Sequence, residues 1–132
     1  MAFIIIKMKK RFIISTVAFA CLLSSCGKTS LNASLGSSFR MMPNQKVDMA
    51  KTDLKINGFE VVEDSRCPEE TNCIWEGQVV ASFIINDAQV KMNTQSAKDT
   101  LGYTFKILSV SPVKTNADIP WSDYIIELLI TK

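Results

Sequence analysis

Gln78-Val79-Val80-Ala81-Ser82-Phe83-Ile84-Ile85-Asn86 alternates with a period of two. Val79, Ala81, Phe83 and Ile85 fall on one face of an extended chain, and Gln78, Val80, Ser82, Ile84 and Asn86 on the other. That period excludes a helix over the stretch and predicts a strand with one buried face. Working outward, Tyr124, Ile126, Leu128 and Ile130 repeat the pattern near the C-terminus, and so do Tyr103, Phe105 and Ile107. Shorter strands are expected at residues 39–41, 46–49, 54–63 and 89–93, the third with an irregularity at Gly58. Turn formers separate these runs: Pro43-Asn44, Asn86-Asp87, Gly102, and the stretch from residue 112 to residue 120. No segment longer than about ten residues after Cys26 carries a helical stripe. About seven short strands at this spacing predict a single small antiparallel β-sandwich, immunoglobulin-like, over residues 38–132. A small barrel is the less favoured alternative. Val79, Phe83, Phe105, Ile107, Ile126 and Leu128 are its expected core, each contributing about 1.5–3 kcal/mol when fully buried.

Upstream of the domain the chain has the layout of an export signal. Lys7, Lys9, Lys10 and Arg11 precede an apolar run from Phe12 to Leu23, and residues 1–25 contain no acidic side chain. The run falls short of the roughly 20 residues that cross a bilayer as a helix. It ends in Leu23-Ser24-Ser25-Cys26, which resembles a bacterial lipobox. Processing would make residues 1–25 a lipoprotein signal peptide. Cys26 would then be the new N-terminus, carrying a diacylglycerol and an acyl chain as the only covalent additions. Residues 26–37 are small and polar and read as a flexible tether with an r.m.s. span of roughly 20 Å. Met8-Lys9-Lys10-Arg11 has the form of a natural start, so translation is expected to begin at Met8. Gly27 stands where an inner-membrane retention signal often has Asp. By that resemblance, the outer membrane is the favoured address.

Removing the signal changes the charge. The whole chain has 15 basic and 13 acidic residues, net +2. Four of the basic ones lie in the signal, which leaves a mildly acidic protein without a basic cluster, so nucleic acid is not an expected partner. The expected partners are the membrane through the anchor, and an envelope protein or surface glycan. Histidine is absent, which removes the usual general base and hydrolase triad, and no catalytic residues are assigned.

The constellation of interest is Asp64-Ser65-Arg66-Cys67-Pro68-Glu69-Glu70-Thr71-Asn72-Cys73-Ile74-Trp75-Glu76-Gly77. With Cys21 removed in the signal and Cys26 lipidated, Cys67 and Cys73 remain, and an oxidising envelope favours pairing them. A structural staple closing a small loop is the favoured reading, with Pro68 and Asn72 making the reversal and Trp75 lying over the departing strand as an aromatic lid. The other readings are a redox-active thiol pair, whose spacing departs from the two-residue thioredoxin pattern, and a metal site, which would lack histidine. Asp64 and Arg66 are expected to form a local ion pair or to cap the loop's backbone amides, an exposed pair of this kind being worth about 0–1 kcal/mol. Glu69, Glu70 and Glu76 read as a solvated acidic loop, with a cation site as the alternative. Met41, Met42, Met49 and Met92 read as core filling in preference to a copper site.

The pattern Asp64-Ser65-Arg66-Cys67-Pro68, then Cys73-x-Trp75-x-Gly77, resembles a group of small bacterial lipoproteins of unassigned function over residues 38–131. The resemblance implies a single β-sandwich behind a lipobox and carries over no site residues. Glu76 departs from it, standing where a small residue is expected. The connection at residues 111–121 is the second functional candidate, because a Trp beside a Pro on a loop held by rigid sheets can anchor a partner. Pro120, Trp121, Arg66 and Trp75 are therefore the expected binding residues. The function expected is a non-catalytic envelope binding or scaffolding module. The alternatives are a protease-inhibitor-like domain presenting Pro120-Trp121, and a thiol-redox protein using Cys67 and Cys73. Replacing Met8 with Leu tests the expected start: exported protein should disappear, and export persisting from Met1 would overturn it.

Overall fold

The computed structural model describes residues 30–132; the expected signal peptide, Cys26 and the first part of the expected tether lie outside them. Nine strands form among the described residues: β1 (Leu31–Ala33), β2 (Phe39–Met41), β3 (Val47–Met49), β4 (Lys55–Asp64), β5 (Val79–Ile85), β6 (Ala88–Asn93), β7 (Lys98–Thr100), β8 (Tyr103–Ser111) and β9 (Ile125–Thr131). A five-stranded sheet in the order β1-β3-β4-β5-β6 packs against a four-stranded sheet in the order β2-β9-β8-β7. Every pair is antiparallel except β1 with β3. The all-β sandwich read from the alternating runs is the architecture observed.

Its core follows the period-two residues. Val79, Ala81, Phe83 and Ile85 of β5 are buried, as are Phe105 and Ile107 of β8 and Ile126, Leu128 and Ile130 of β9. Phe59 and Phe83 lie opposite each other on β4 and β5, with ring centroids 5.4 Å apart in a tilted arrangement that favours aromatic contact. Met41, Met49 and Met92 fill the same core, and Met42 points to solvent. Ser82 breaks the pattern: it lies on the outward-facing side of β5 yet is almost completely buried, and its hydroxyl has no hydrogen-bond partner.

Two strands escape the sequence reading, for one physical reason. β7, Lys98-Asp99-Thr100, buries no residue, so its sequence carries no hydrophobic period. The tight Leu101-Gly102 turn, with both residues at positive φ, folds it back onto β8. β1 lies inside the stretch expected to be a flexible tether, and that boundary is corrected. Ala33 is buried, Leu31 packs against the core, and backbone bonds from Leu31 N–H to the Lys46 carbonyl and from Ala50 N–H to the Ala33 carbonyl secure the strand. Three residues with one small buried side chain are too few to show a period. The count thus rises from the expected seven to nine.

β4 is the strand on which the candidate site is built, and Gly58 shapes it. Its register against β5 shifts between Ile56 and Phe59, the irregularity expected at Gly58. Here φ is +108°, and an added Cβ would collide with the Pro43 carbonyl oxygen. That same oxygen accepts the Phe59 N–H at 2.9 Å. Glycine is required because the 43–44 turn crosses directly over its Cα. Gly58→Ala should destabilise the protein by about 2–3 kcal/mol, from backbone strain plus displacement of Pro43, as read by urea unfolding.

Candidate functional site

The end of the sandwich where β4 runs out and β5 begins is made by two loops, residues 65–78 and 112–124. The first starts with Asp64 and Arg66. Arg66 Nε and Nη2 donate to the two carboxylate oxygens of Asp64, each at 2.8 Å, and Nη1 donates to the carbonyls of Val110 and Pro112, each at 3.0 Å. Tyr124 Oη donates to Asp64 Oδ2 at 3.0 Å. The Asp64 side chain is only 6% exposed and that of Arg66 20%. The exposed local pair expected from the sequence is corrected to a largely buried, bidentate one that joins β4 of one sheet to the end of β8 and the start of β9 in the other. Charge-assisted, forked bonds of this kind are markedly stronger than a surface ion pair.

The electrostatics follow from that geometry. Burial pushes the Asp64 carboxyl up, but hydrogen bonds from Arg66 and Tyr124, with the adjacent guanidinium charge, outweigh it and hold the group below its ordinary value. Tyr124 is raised by burial and by its bond to the Asp64 carboxylate. Arg66 is held more firmly protonated by its hydrogen bonds to Asp64.

Within the first loop Cys67 and Cys73 are joined as a disulfide, with Cα atoms 5.9 Å apart, and the Thr71 N–H closes a turn on the Pro68 carbonyl. Gly77, at φ +66°, lies so close to the Ser65 carbonyl that any side chain would clash. Ser65 in turn holds the strand leaving the loop through Oγ and backbone bonds to Gln78. Trp75, expected as a lid over the departing strand, is largely open to solvent. It is 58% exposed, and its indole N–H reaches back to the Ser65 carbonyl at 3.4 Å.

The second loop is braced by the first. Glu69 N–H donates to the Lys114 carbonyl, and Asn116 N–H to Glu70 Oε2. Glu70 thus works within the loops, and among the described residues no group of three Asp, Glu, Cys or His side chains is placed to hold a metal ion. Ile119 packs against the core, while Trp121, opening a short 3-10 helix at Trp121–Asp123 after Pro120, is 63% exposed. Trp121 closes one side of an open groove of about 380 Å³, whose remaining wall is Pro43, Asn44, Phe59, Glu60 and Val61.

Of the four expected binding residues, Pro120 and Trp121 stand on this groove or beside it, and Trp75 is exposed on the neighbouring loop. Arg66 is spent on the brace, with both ends of its guanidinium engaged. The sequence reading places Tyr124 only in the alternating C-terminal run and misses its bond to Asp64, and it misses Pro43, Glu60 and Val61 as groove residues. Tyr124 meets Asp64 across 60 positions of chain, and no local pattern marks such a contact. No protein-family model, curated protein or solved structure matches the chain.

Arg66→Ala should cost about 2–3 kcal/mol at neutral pH, because it leaves a buried carboxylate with the tyrosine hydroxyl and the residue-66 N–H but without the guanidinium's two bonds and charge. Since the folded-state pKa of Asp64 lies below its ordinary 3.8, the stabilisation is present above that value and lost as pH falls through the depressed one. The gap between wild type and variant should therefore narrow in acid, as measured by urea unfolding between pH 7 and pH 2.

Proposed function

We propose that this protein is a lipid-anchored binding module of the bacterial cell envelope, held at the membrane through Cys26 and engaging an envelope protein or surface glycan through the end of the sandwich that carries Trp121. The observation that carries the reading is Trp121 itself: a large aromatic side chain 63% exposed beside a groove. The loop that bears it is tied to the disulfide loop and, through Arg66, to both sheets.

An exposed tryptophan on a mobile loop would lose much of its binding energy to ordering on association. One that is already fixed keeps it, which is why anchor residues sit on rigid scaffolds. The proposed address rests on the basic residues 7–11, the apolar run after them and the lipobox-like Leu23-Ser24-Ser25-Cys26. The Asp64-to-Gly77 motif and its resemblance to small lipoproteins agree with that address. A strand start at Leu31 leaves only a few residues between Cys26 and the folded domain, so the module would work close to the membrane surface.

The test is affinity capture from envelope extracts with the wild-type protein and with Trp121→Ala. Trp121 is largely exposed, so the variant should fold as the wild type does. It should lose at least tenfold of a partner that the wild type retains. Recovery of the same material by both proteins would overturn the reading.

A further inference from the structure

The groove beside Trp121 is also the open margin of a β-sheet. β4 is paired along β5 for its whole length, but β3 pairs with it only at Lys55 and Ile56. Beyond that, Pro43 supplies one carbonyl to Phe59 N–H. A strand's backbone groups point alternately to either side, so Phe59 and Val61 face the same way. The Phe59 carbonyl and the N–H and carbonyl of Val61 therefore face the groove, where no other backbone of the described residues bonds them.

We infer that this bare half of β4 is a docking edge for an extended peptide of a partner protein, which adds a strand beside residues 59–61, sets an apolar residue against Trp121 and places a lysine or arginine beside Glu60. The inference rests on the binding reading above and names its partner class.

Charge selects the occupant. Glu60 and Glu63 are exposed on this strand, and neither is in an ion pair among the described residues. Pairing with β4 of a second copy would bring glutamates against glutamates across the new ladder, an arrangement that destabilises strand pairs and guards natural edges. A basic strand meets the opposite condition.

A second observation points the same way. A cavity of about 150 Å³ adjoins the groove, sharing Pro43, Asn44, Phe59 and Glu60 with it. It is lined by Ser82, whose buried hydroxyl has no partner, together with Asn57 and Gln89. An ammonium or guanidinium entering past Glu60 would supply the donor that the Ser82 hydroxyl oxygen lacks, in a recess that the Asn57 and Gln89 amides also line. Backbone bonds from the edge would give affinity and the two recesses specificity, as in other recognition by strand addition.

The probe is the acetylated, amidated pentapeptide Val-Lys-Val-Lys-Val, titrated into the full processed protein in detergent and followed by amide and indole chemical shifts. Saturable shifts are expected at Val61 and at the Trp121 indole N–H. The peptide with Glu in place of Lys should bind at least tenfold more weakly, and so should the Lys peptide N-methylated at its central residue. Glu60→Lys should reverse the charge preference. Shifts that map away from the edge, equal binding of the acidic peptide, equal binding of the N-methylated one, or no saturable shift at millimolar peptide would each overturn the inference. If Trp121→Ala still loses its envelope partner in any of those cases, strand addition fails while the binding reading stands. Capture that survives proteinase digestion of the extract would make the partner a glycan and overturn the peptide inference directly.

Discussion

Arg66 occupies the point where the two sheets would otherwise splay. Its guanidinium is planar and carries its donors in a fixed fork. One edge can therefore satisfy a carboxylate on β4 while the remaining nitrogen reaches carbonyls at the end of β8. Tyr124 fixes the same carboxylate from the start of β9. A hydrophobic contact at this position would hold the sheets together without setting their angle or register; a set of directional bonds sets both. The loops that leave the sandwich at this end inherit that rigidity, since residues 67–77 depart from Arg66 itself and residues 112–120 depart from the carbonyls it binds.

The disulfide and the arginine act on different scales. Cys67–Cys73 closes a short loop, and on the chain-entropy model so short a closure contributes about 2–2.5 kcal/mol, mostly by restricting the unfolded chain. It shapes the loop but does not reach the other sheet. The bond from Asn116 N–H to Glu70 and the one from Glu69 N–H to Lys114 carry the constraint across. Together these place Trp121 next to the uncovered part of β4, so an exposed tryptophan, Glu60 and an unpaired strand margin share one groove. The same features disfavour edge-to-edge pairing between copies of the chain. The edge is short, it is broken by a register shift between Val61 and Glu63, and it bears like charges that disfavour self-pairing.

Much of the fold was legible because burial imposes a period. The alternation in β5, β8 and β9 is the direct imprint of one face packed and one face wet, and Gly58 was visible as an interruption of the same pattern in β4. β1 and β7 were not legible. The first buries one small side chain and the second none, and their pairing comes from neighbours and a tight turn. The site divides in a similar way. Cysteine arithmetic reached Cys67 and Cys73, and the Pro120-Trp121 pair stood out by composition. The sequence pairs Arg66 with its neighbour Asp64 and offers it for binding, but the guanidinium's partners at Val110 and Pro112 lie more than 40 positions away, and Tyr124, which bonds Asp64, lies farther still.

What the sequence determined by itself was therefore everything carried by local pattern. That covers an all-β chain, the core residues of its longest alternating strands, the turns between those strands, a stretch with the layout of an export signal ahead of it, and the pairing of Cys67 with Cys73. Tertiary structure alone decided which faces and ends meet. It made Asp64 and Arg66 a buried brace instead of a surface pair, took residues 31–33 out of the tether and into a sheet, and left half of β4 bare beside Trp121. The physical reason is range: periodicity and turn chemistry act over a few residues, while a cross-sheet hydrogen bond or an unpaired edge depends on which distant segments the closed core brings together and which it leaves apart.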